Sequence, residues 1–188
     1  MPTSADVERA AERIRSFARR TPVLTASSLD ALLGAKLFFK CENFQRVGAF
    51  KFRGACNAVQ SLSVAEAARG VATHSSGNHG AALALAARLR GVPCTVVVPR
   101  NAPAVKQAAV AAYGADVVLC EPTLEARETR LAGVVAESGQ AVVHPYDDAR
   151  VIAGQGTAAL ELVDDVPDLD LLLVPVGGGG LASGTALA

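Results

Sequence analysis

VATHSSGNHGAALALAARLRGVPCTVVVP, residues 71–99, reads as strand, loop, helix and strand. VATHS and CTVVVP are short apolar runs rich in β-branched residues. Between them NHGAALALAARLRG is long enough for a helix and ends on Gly91. Two strands joined through a helix of ten or more residues run parallel, and strands this uniformly apolar are covered on both faces. The alternation continues. APAVKQAAVAAYG is a helix ending on Gly114, DVVLCE a strand, TLEARETRLAGVVAESG a helix ending on Gly139, and AVVHP a strand. Residues 70–146 thus form a βαβαβαβ unit, a small α/β domain with a parallel sheet.

The flanks follow a different plan. Residues 4–19 repeat Val7, Ala10, Ala11, Ile14, Phe17 and Ala18 at helical spacing, with Thr3 or Ser4 as cap and Pro22 beyond the end. Ser27 or Ser28 precedes a short helix, LDALLG, closed by Gly34. KLFFKCE reads as a strand and FKFRGACNAVQSL as a helix. ARVIAGQGTAALELVDD is a further helix, and LDLLLVPV a strand running into GGGG. Residues 1–69 and 147–188 are expected to build a second, larger domain around the inserted small one. That domain is expected to be incomplete, because the chain stops at Ala188 inside the helix that follows the glycines.

Composition narrows the function classes. The chain is 51% apolar but only 4% aromatic and lacks tryptophan, a balance suited to close packing of helices on a sheet. Eighteen basic and 18 acidic residues cancel, so no basic excess points to nucleic acid. No apolar run approaches the roughly 18 residues of a membrane span. The N-terminus carries Asp6, Glu8 and Glu12 and no apolar core, unlike a secretory signal, so a cytoplasmic location is expected. Cys41, Cys56, Cys94 and Cys120 form neither a CxxC pair nor a zinc cluster and read as reduced thiols.

Three stretches could carry chemistry. Gly177–Gly180 lies between an apolar strand and a helix, where backbone N–H groups and a helix N-terminus together make an anion cradle suited to phosphate. The alternative is a plain tight turn. Nucleotide signatures fail here: the P-loop lysine is absent, GxGxxG from Gly177 meets Ala182, and from Gly179 it meets Leu181. SSGNHG, residues 75–80, offers Ser75, Ser76, Asn78 and His79 at another helix start. It is fit either for a carboxylate or for simple capping. Finally GAFKFRG sets Lys51, one of four lysines, between Phe50 and Phe52. A desolvated lysine holds its proton less tightly and attacks carbonyls more readily; a surface lysine snorkelling from a helix start is the alternative. A phosphate grip, a carboxylate grip and an activated amine in one chain match the needs of pyridoxal 5′-phosphate.

The motifs ENFQRVGAFKFRGA, THSSGNHGAALA, HPYDDARVIAGQGTAALEL and VPVGGGGLASG, in this order, resemble those of the fold-type II pyridoxal-phosphate enzymes, closest to the threonine/serine dehydratase and serine racemase branch. The resemblance implies a tryptophan-synthase-β-like α/β fold, a small amino-acid substrate, and a homo-oligomer, dimer or tetramer. It implies that Lys51 bonds the cofactor's aldehyde, Phe50 lies against its ring, and Asn78 meets its 3′-oxygen. Gly177, Gly178, Gly179 and Gly180, with the Leu181 amide, would hold its phosphate. Ser75, Asn78 and His79 would hold the substrate carboxylate, and Ser76 would face the substrate opposite Lys51. FRG after the lysine and HPYDD favour deamination of L-threonine or L-serine, with serine racemisation or an inactive binding module as alternatives. Ala49 departs from the Ser or Thr of many relatives. Relatives carry further residues beyond this point, among them the group beside the pyridine nitrogen and, in racemase-like members, a divalent-metal site; no metal ligand is assigned in this chain.

Overall fold

The computed structural model describes residues 1–75 and 77–188. The chain opens with α1 (Ser4–Ile14), which buries Val7, Ala10 and Ile14 on one face. Thr3 caps it, donating from its backbone N and from Oγ1 to Asp6 Oδ2 at 2.9 and 2.8 Å. β1 (Val23–Leu24) and β2 (Phe39–Lys40) pair antiparallel around α2 (Ser27–Leu33). Both candidate capping serines lie inside the first turn of α2, and Ala26 occupies the cap. The strand expected over KLFFKCE shrinks to two residues, since β1 offers only two partners and the chain turns at Glu42–Phe44. α3 (Lys51–Gln60) is followed by α4 (Val64–Arg69), which hydrophobic spacing does not announce because it buries none of its residues. Its signal is the reciprocal cap between Ser63 and Glu66.

β3 (Val71–His74), α5 (Asn78–Arg90), β4 (Cys94–Pro99), α6 (Ala104–Ala112), β5 (Asp116–Cys120), α7 (Leu124–Ser138) and β6 (Ala141–Val142) then alternate as the sequence predicts. The four strands form one parallel sheet in the order β5-β4-β3-β6. One core on this sheet joins Phe52, Cys56 and Val59 of α3 to Leu83 and Ala86 of α5 and to Val96 and Val98 of β4. A smaller one sets Ala72 and Val97 against Leu131 and Val134 of α7. The strand expected over LDLLLVPV does not form. Leu171, Leu173 and Val176 are exposed, and among the described residues no strand lies beside them to complete a ladder.

α8 (Ala149–Asp165) is crossed by α3 on one side and α9 (Gly180–Leu187) on the other, and glycines make both crossings. A Cβ on Gly154 would stand 2.6 Å from Gly54 Cα and 2.7 Å from Arg53 O. A Cβ on Gly156 would stand 2.6 Å from Gly184 O. These are backbone atoms, which cannot rotate aside as a side chain can. Gly154→Ala must therefore push α3 off α8, and we expect it to cost about 3 kcal/mol, read as a lower urea midpoint with unchanged slope. A midpoint equal to wild type would show that the crossing tolerates a methyl group.

Candidate active site

The glycine crossings set three chain segments side by side: the start of α3, the start of α9, and the turn that leads into α8. Lys51 is the first residue of α3 and Gly180 the first of α9. Lys51 Nζ donates to Pro145 O at 2.8 Å. Next to Pro145, the Tyr146 ring lies where a Cβ on Gly178 would fall, and Tyr146 O is 2.9 Å from a Cβ placed on Gly180. Pro145 and Tyr146 thus separate the lysine from the glycine loop by a single turn of chain. Side chains at 178 and 180 would collide with that turn. Gly177 and Gly179 face open space instead, Gly179 with φ of 87°, which favours glycine. Open glycines beside a helix start are the kind of backbone at which N–H groups can receive an anion.

Burial lowers the pKa of Lys51 below its ordinary value, so more of it is free amine at neutral pH than for an exposed lysine. Only one flanking aromatic contributes. The Phe50 ring centroid is 5.3 Å from Nζ, whereas Phe52 is fully buried in the core with Arg46 above its ring. Successive helical side chains diverge by about 100°, so neighbours in sequence do not share a face.

The other expected residues follow β3. A ligand in an open parallel sheet binds beyond the carboxyl ends of strands, where the order of connection reverses. Here that point lies between β3, which leads on to β4, and β6, added on its far side. Ser75 leaves β3 there and Asn78 opens α5, exposed at its N-terminus. His79 is buried. Its Nε2 lies 3.2 Å from Val143 O, just past β6, while Nδ1 finds no partner among the described residues. Burial pushes its pKa down to about 3 despite the Val143 carbonyl, and the Lys51 charge adds to the fall. His79 is therefore a neutral ring that ties α5 to the end of β6; it is not a cation. Ser76 lies outside the described residues. Leu181 is half-buried in the first turn of α9.

Sequence reasoning missed the residues that hold this arrangement. Arg53, two positions after Lys51, is wholly buried between the carboxylates of Glu42 and Glu161. Gln45, also buried, exchanges hydrogen bonds with the Arg19 backbone at 3.0 and 2.8 Å and fixes the loop before Lys51. In that loop Val47 holds φ of 58°, a strained value for a β-branched residue. His144 and Tyr146 shape the central turn. Their advance signal was only membership in the motifs ENFQRVGAFKFRGA and HPYDD, which does not reveal these contacts. A cleft of about 580 Å³ lined by Arg19, Arg46, Arg88 and Lys106 opens beside Asn78; Lys51 and the four glycines do not line it. Among the described residues no group of three or more His, Cys, Asp or Glu could hold a metal, and no helix is long and apolar enough to cross a membrane.

Known proteins share this architecture. Residues 14–188 match the family described as pyridoxal-phosphate dependent enzyme. The chain is 57% identical over 187 residues to a beta-hydroxyaspartate dehydratase of Paracoccus denitrificans, covering 100% of this chain and 59% of that protein. It is 52% identical to a serine racemase of Arabidopsis thaliana, covering 97% of this chain and 55% of the relative. The crystal structure of serine racemase from Dictyostelium discoideum superposes with a TM-score of 0.95 at 51% identity, over 99% of this chain and 61% of that one. The chain thus spans somewhat over half the length of the proteins it matches. With a lysine amine and a glycine loop set against one turn beyond a parallel sheet, it belongs to the pyridoxal-phosphate-dependent enzymes and has their fold-type II, tryptophan-synthase-β-like architecture.

Proposed function

We propose that the chain provides the lysine and the phosphate grip of an ammonia-lyase that converts a small 3-hydroxy amino acid, L-threonine or L-serine, into a 2-oxo acid and ammonia. 3-Hydroxyaspartate enters as a third substrate, because a dehydratase named for it is 57% identical. The observation that carries the reading is the placement of Lys51 and the glycine loop against consecutive residues, Pro145 and Tyr146. When bound, pyridoxal phosphate supplies an electron sink that makes the substrate α-proton acidic. Lys51 Nζ would hold the cofactor's aldehyde carbon and, once freed by the substrate amine, take the α-proton. Gly177–Gly180 and the Leu181 N–H would bind the phosphoryl oxygens. Phe50 would cover one ring face, and Asn78 would donate to the ring 3′-oxygen. Ser75, Asn78 and the N-terminal N–H groups of α5 would orient the α-carboxylate. The neutral His79 ring would serve by position, not charge. The α-proton and the β-hydroxyl would together leave as water, and the released enamine would take up water to give the oxo acid and ammonia.

Racemisation is the second reading, favoured by the Arabidopsis and Dictyostelium relatives. It needs an acid on the face opposite Lys51, and Ser76 is proposed for it. The domain division at 69/70 and 146/147 is proposed as the frame of both readings, as are a homo-oligomeric assembly and a cytoplasmic setting. The test has two stages. Pyridoxal phosphate is added, the adduct is fixed with borohydride, and peptides are mapped; the label should fall on Lys51. The protein at the full length of its relatives is then given L-serine, L-threonine and L-threo-3-hydroxyaspartate. Oxo acid and ammonia in equal amounts support the lyase. D-serine formed faster than pyruvate replaces it with the racemase, and a label away from Lys51 removes both.

A further inference from the structure

His144 stands at the head of the turn that separates lysine from glycines. Its Nδ1 accepts from two backbone amides, Asp147 N at 2.9 Å and Tyr146 N at 3.4 Å. A ring nitrogen that accepts carries its lone pair, so the proton of the neutral ring sits on Nε2. The ring is held edge-on between two others, with centroids 4.5 Å from Tyr146 and 5.8 Å from His74. The amides it gathers belong to the residue that lies over Gly178 and Gly180 and to its neighbour. The carbonyl of Pro145, inside the same turn, receives Lys51 Nζ. One acceptor atom therefore fixes the backbone that the candidate amine and the candidate phosphate cradle both lean on.

We propose that His144 is a positioning residue: through Nδ1 it locks the 145–147 turn and so sets the distance between Lys51 and the glycine loop. The inference rests on the assignment of the cofactor to that turn. His144 touches neither partner directly, and its effect passes through Pro145 and Tyr146.

The lock needs an acceptor at one place, which separates it from mere bulk. His144→Asn puts Oδ1 close to the position of Nδ1; His144→Phe keeps the ring and loses the acceptor. Two measurements are made on the whole chain. The first, amide hydrogen exchange at Tyr146 and Asp147, needs no cofactor. Exchange is expected about tenfold faster in His144→Phe and near wild type in His144→Asn. The second is the pyridoxal phosphate dissociation constant, read from visible absorbance, with about a tenfold loss in His144→Phe and recovery in His144→Asn. Unchanged exchange in His144→Phe, or an Asn variant as impaired as Phe in both readouts, overturns the proposal. So does faster exchange with unaltered cofactor affinity, since the turn would then open without consequence. If the wild-type chain binds no cofactor, the functional assignment fails, while exchange and the ring tautomer seen by ¹⁵N NMR still decide whether His144 locks the turn.

Discussion

Lys51→Ala is expected to remove the visible absorbance of the lysine-bound cofactor and, in the protein at the full length of its relatives, to lower oxo-acid formation by at least about a thousandfold, since under the proposed function it deletes both a covalent anchor and a proton acceptor. No neighbour can take its place. The amine of Lys40 is bound to Glu161 at 2.8 Å and to Thr21 O at 2.8 Å. Lys106 lines the cleft that Asn78 also borders, which neither Lys51 nor the four glycines line. His79 is neutral, and one ring nitrogen faces Val143 O. The loss is one of chemistry and leaves the fold standing, because among the described residues Lys51 makes a single hydrogen bond, to Pro145 O, and the α3 core lies on Phe52 and Cys56. Lys51→Arg keeps a donor for that carbonyl but offers no amine able to attack an aldehyde at neutral pH, so it should fold like wild type and be as inactive as the alanine variant. Burial lowers the Lys51 pKa; the fraction of reactive amine rises with pH through that lowered value, and adduct formation should rise with it. Normal turnover in either variant would remove Lys51 from the reaction.

How much of this could be read from the residues alone depends on the range of the forces involved. The βαβ alternation was legible because strand and helix periods are local, and the left-handed glycines Gly91 and Gly139 mark helix ends where the sequence put them. The lysine, the glycine quartet and the loop after β3 stood out as candidates for chemistry, since each lies in a short contiguous stretch of unusual composition. LDLLLVPV failed because a strand is completed by its neighbours, and its own apolar run cannot supply them. The turn at His144–Asp147 was illegible for a different cause. Its importance comes from what it touches, namely Lys51 from ninety-four positions upstream and Gly178 from downstream. Arg53 looked like an ordinary helix arginine until Glu42 and Glu161, far apart in sequence, were found on both sides of it.

Arg53→Met is expected to lower stability by about 3–5 kcal/mol, a large share of the total for a domain of this size. Arg53 is entirely buried and donates to Glu42 through Nε and Nη2, both at 2.8 Å. It donates to Glu161 from Nη1 at 2.7 Å and from Nη2 at 2.8 Å, and more weakly to Thr157 Oγ1, Arg19 O and Thr21 Oγ1 at 3.2–3.4 Å. Two forked carboxylate pairs use the planar guanidinium fully, so lysine cannot substitute. Those bonds and charges raise the guanidinium's proton affinity against the opposing effect of burial. Methionine fills much of the volume but strands the two carboxylates, one keeping Lys40 and the other the Thr21 hydroxyl. For Glu161, burial pushes the pKa up, but Arg53 and then Lys40 overcome it and hold the carboxyl below its ordinary value of 4.5. A carboxyl with a depressed folded-state pKa stabilises fully above its unfolded value and loses that contribution as pH falls through the folded one. Wild type should therefore lose stability as pH drops below about 4.5, and Glu161→Gln should flatten that part of the profile while lowering the plateau. Because Arg53 lies two residues after Lys51 and beside Gly54 at the α8 crossing, Arg53→Met should also weaken cofactor binding, in proportion to the lost midpoint in urea. A variant with an unchanged midpoint would mean that the two carboxylates find water or new partners when the arginine leaves, and that α3 is held on α8 by its glycines alone.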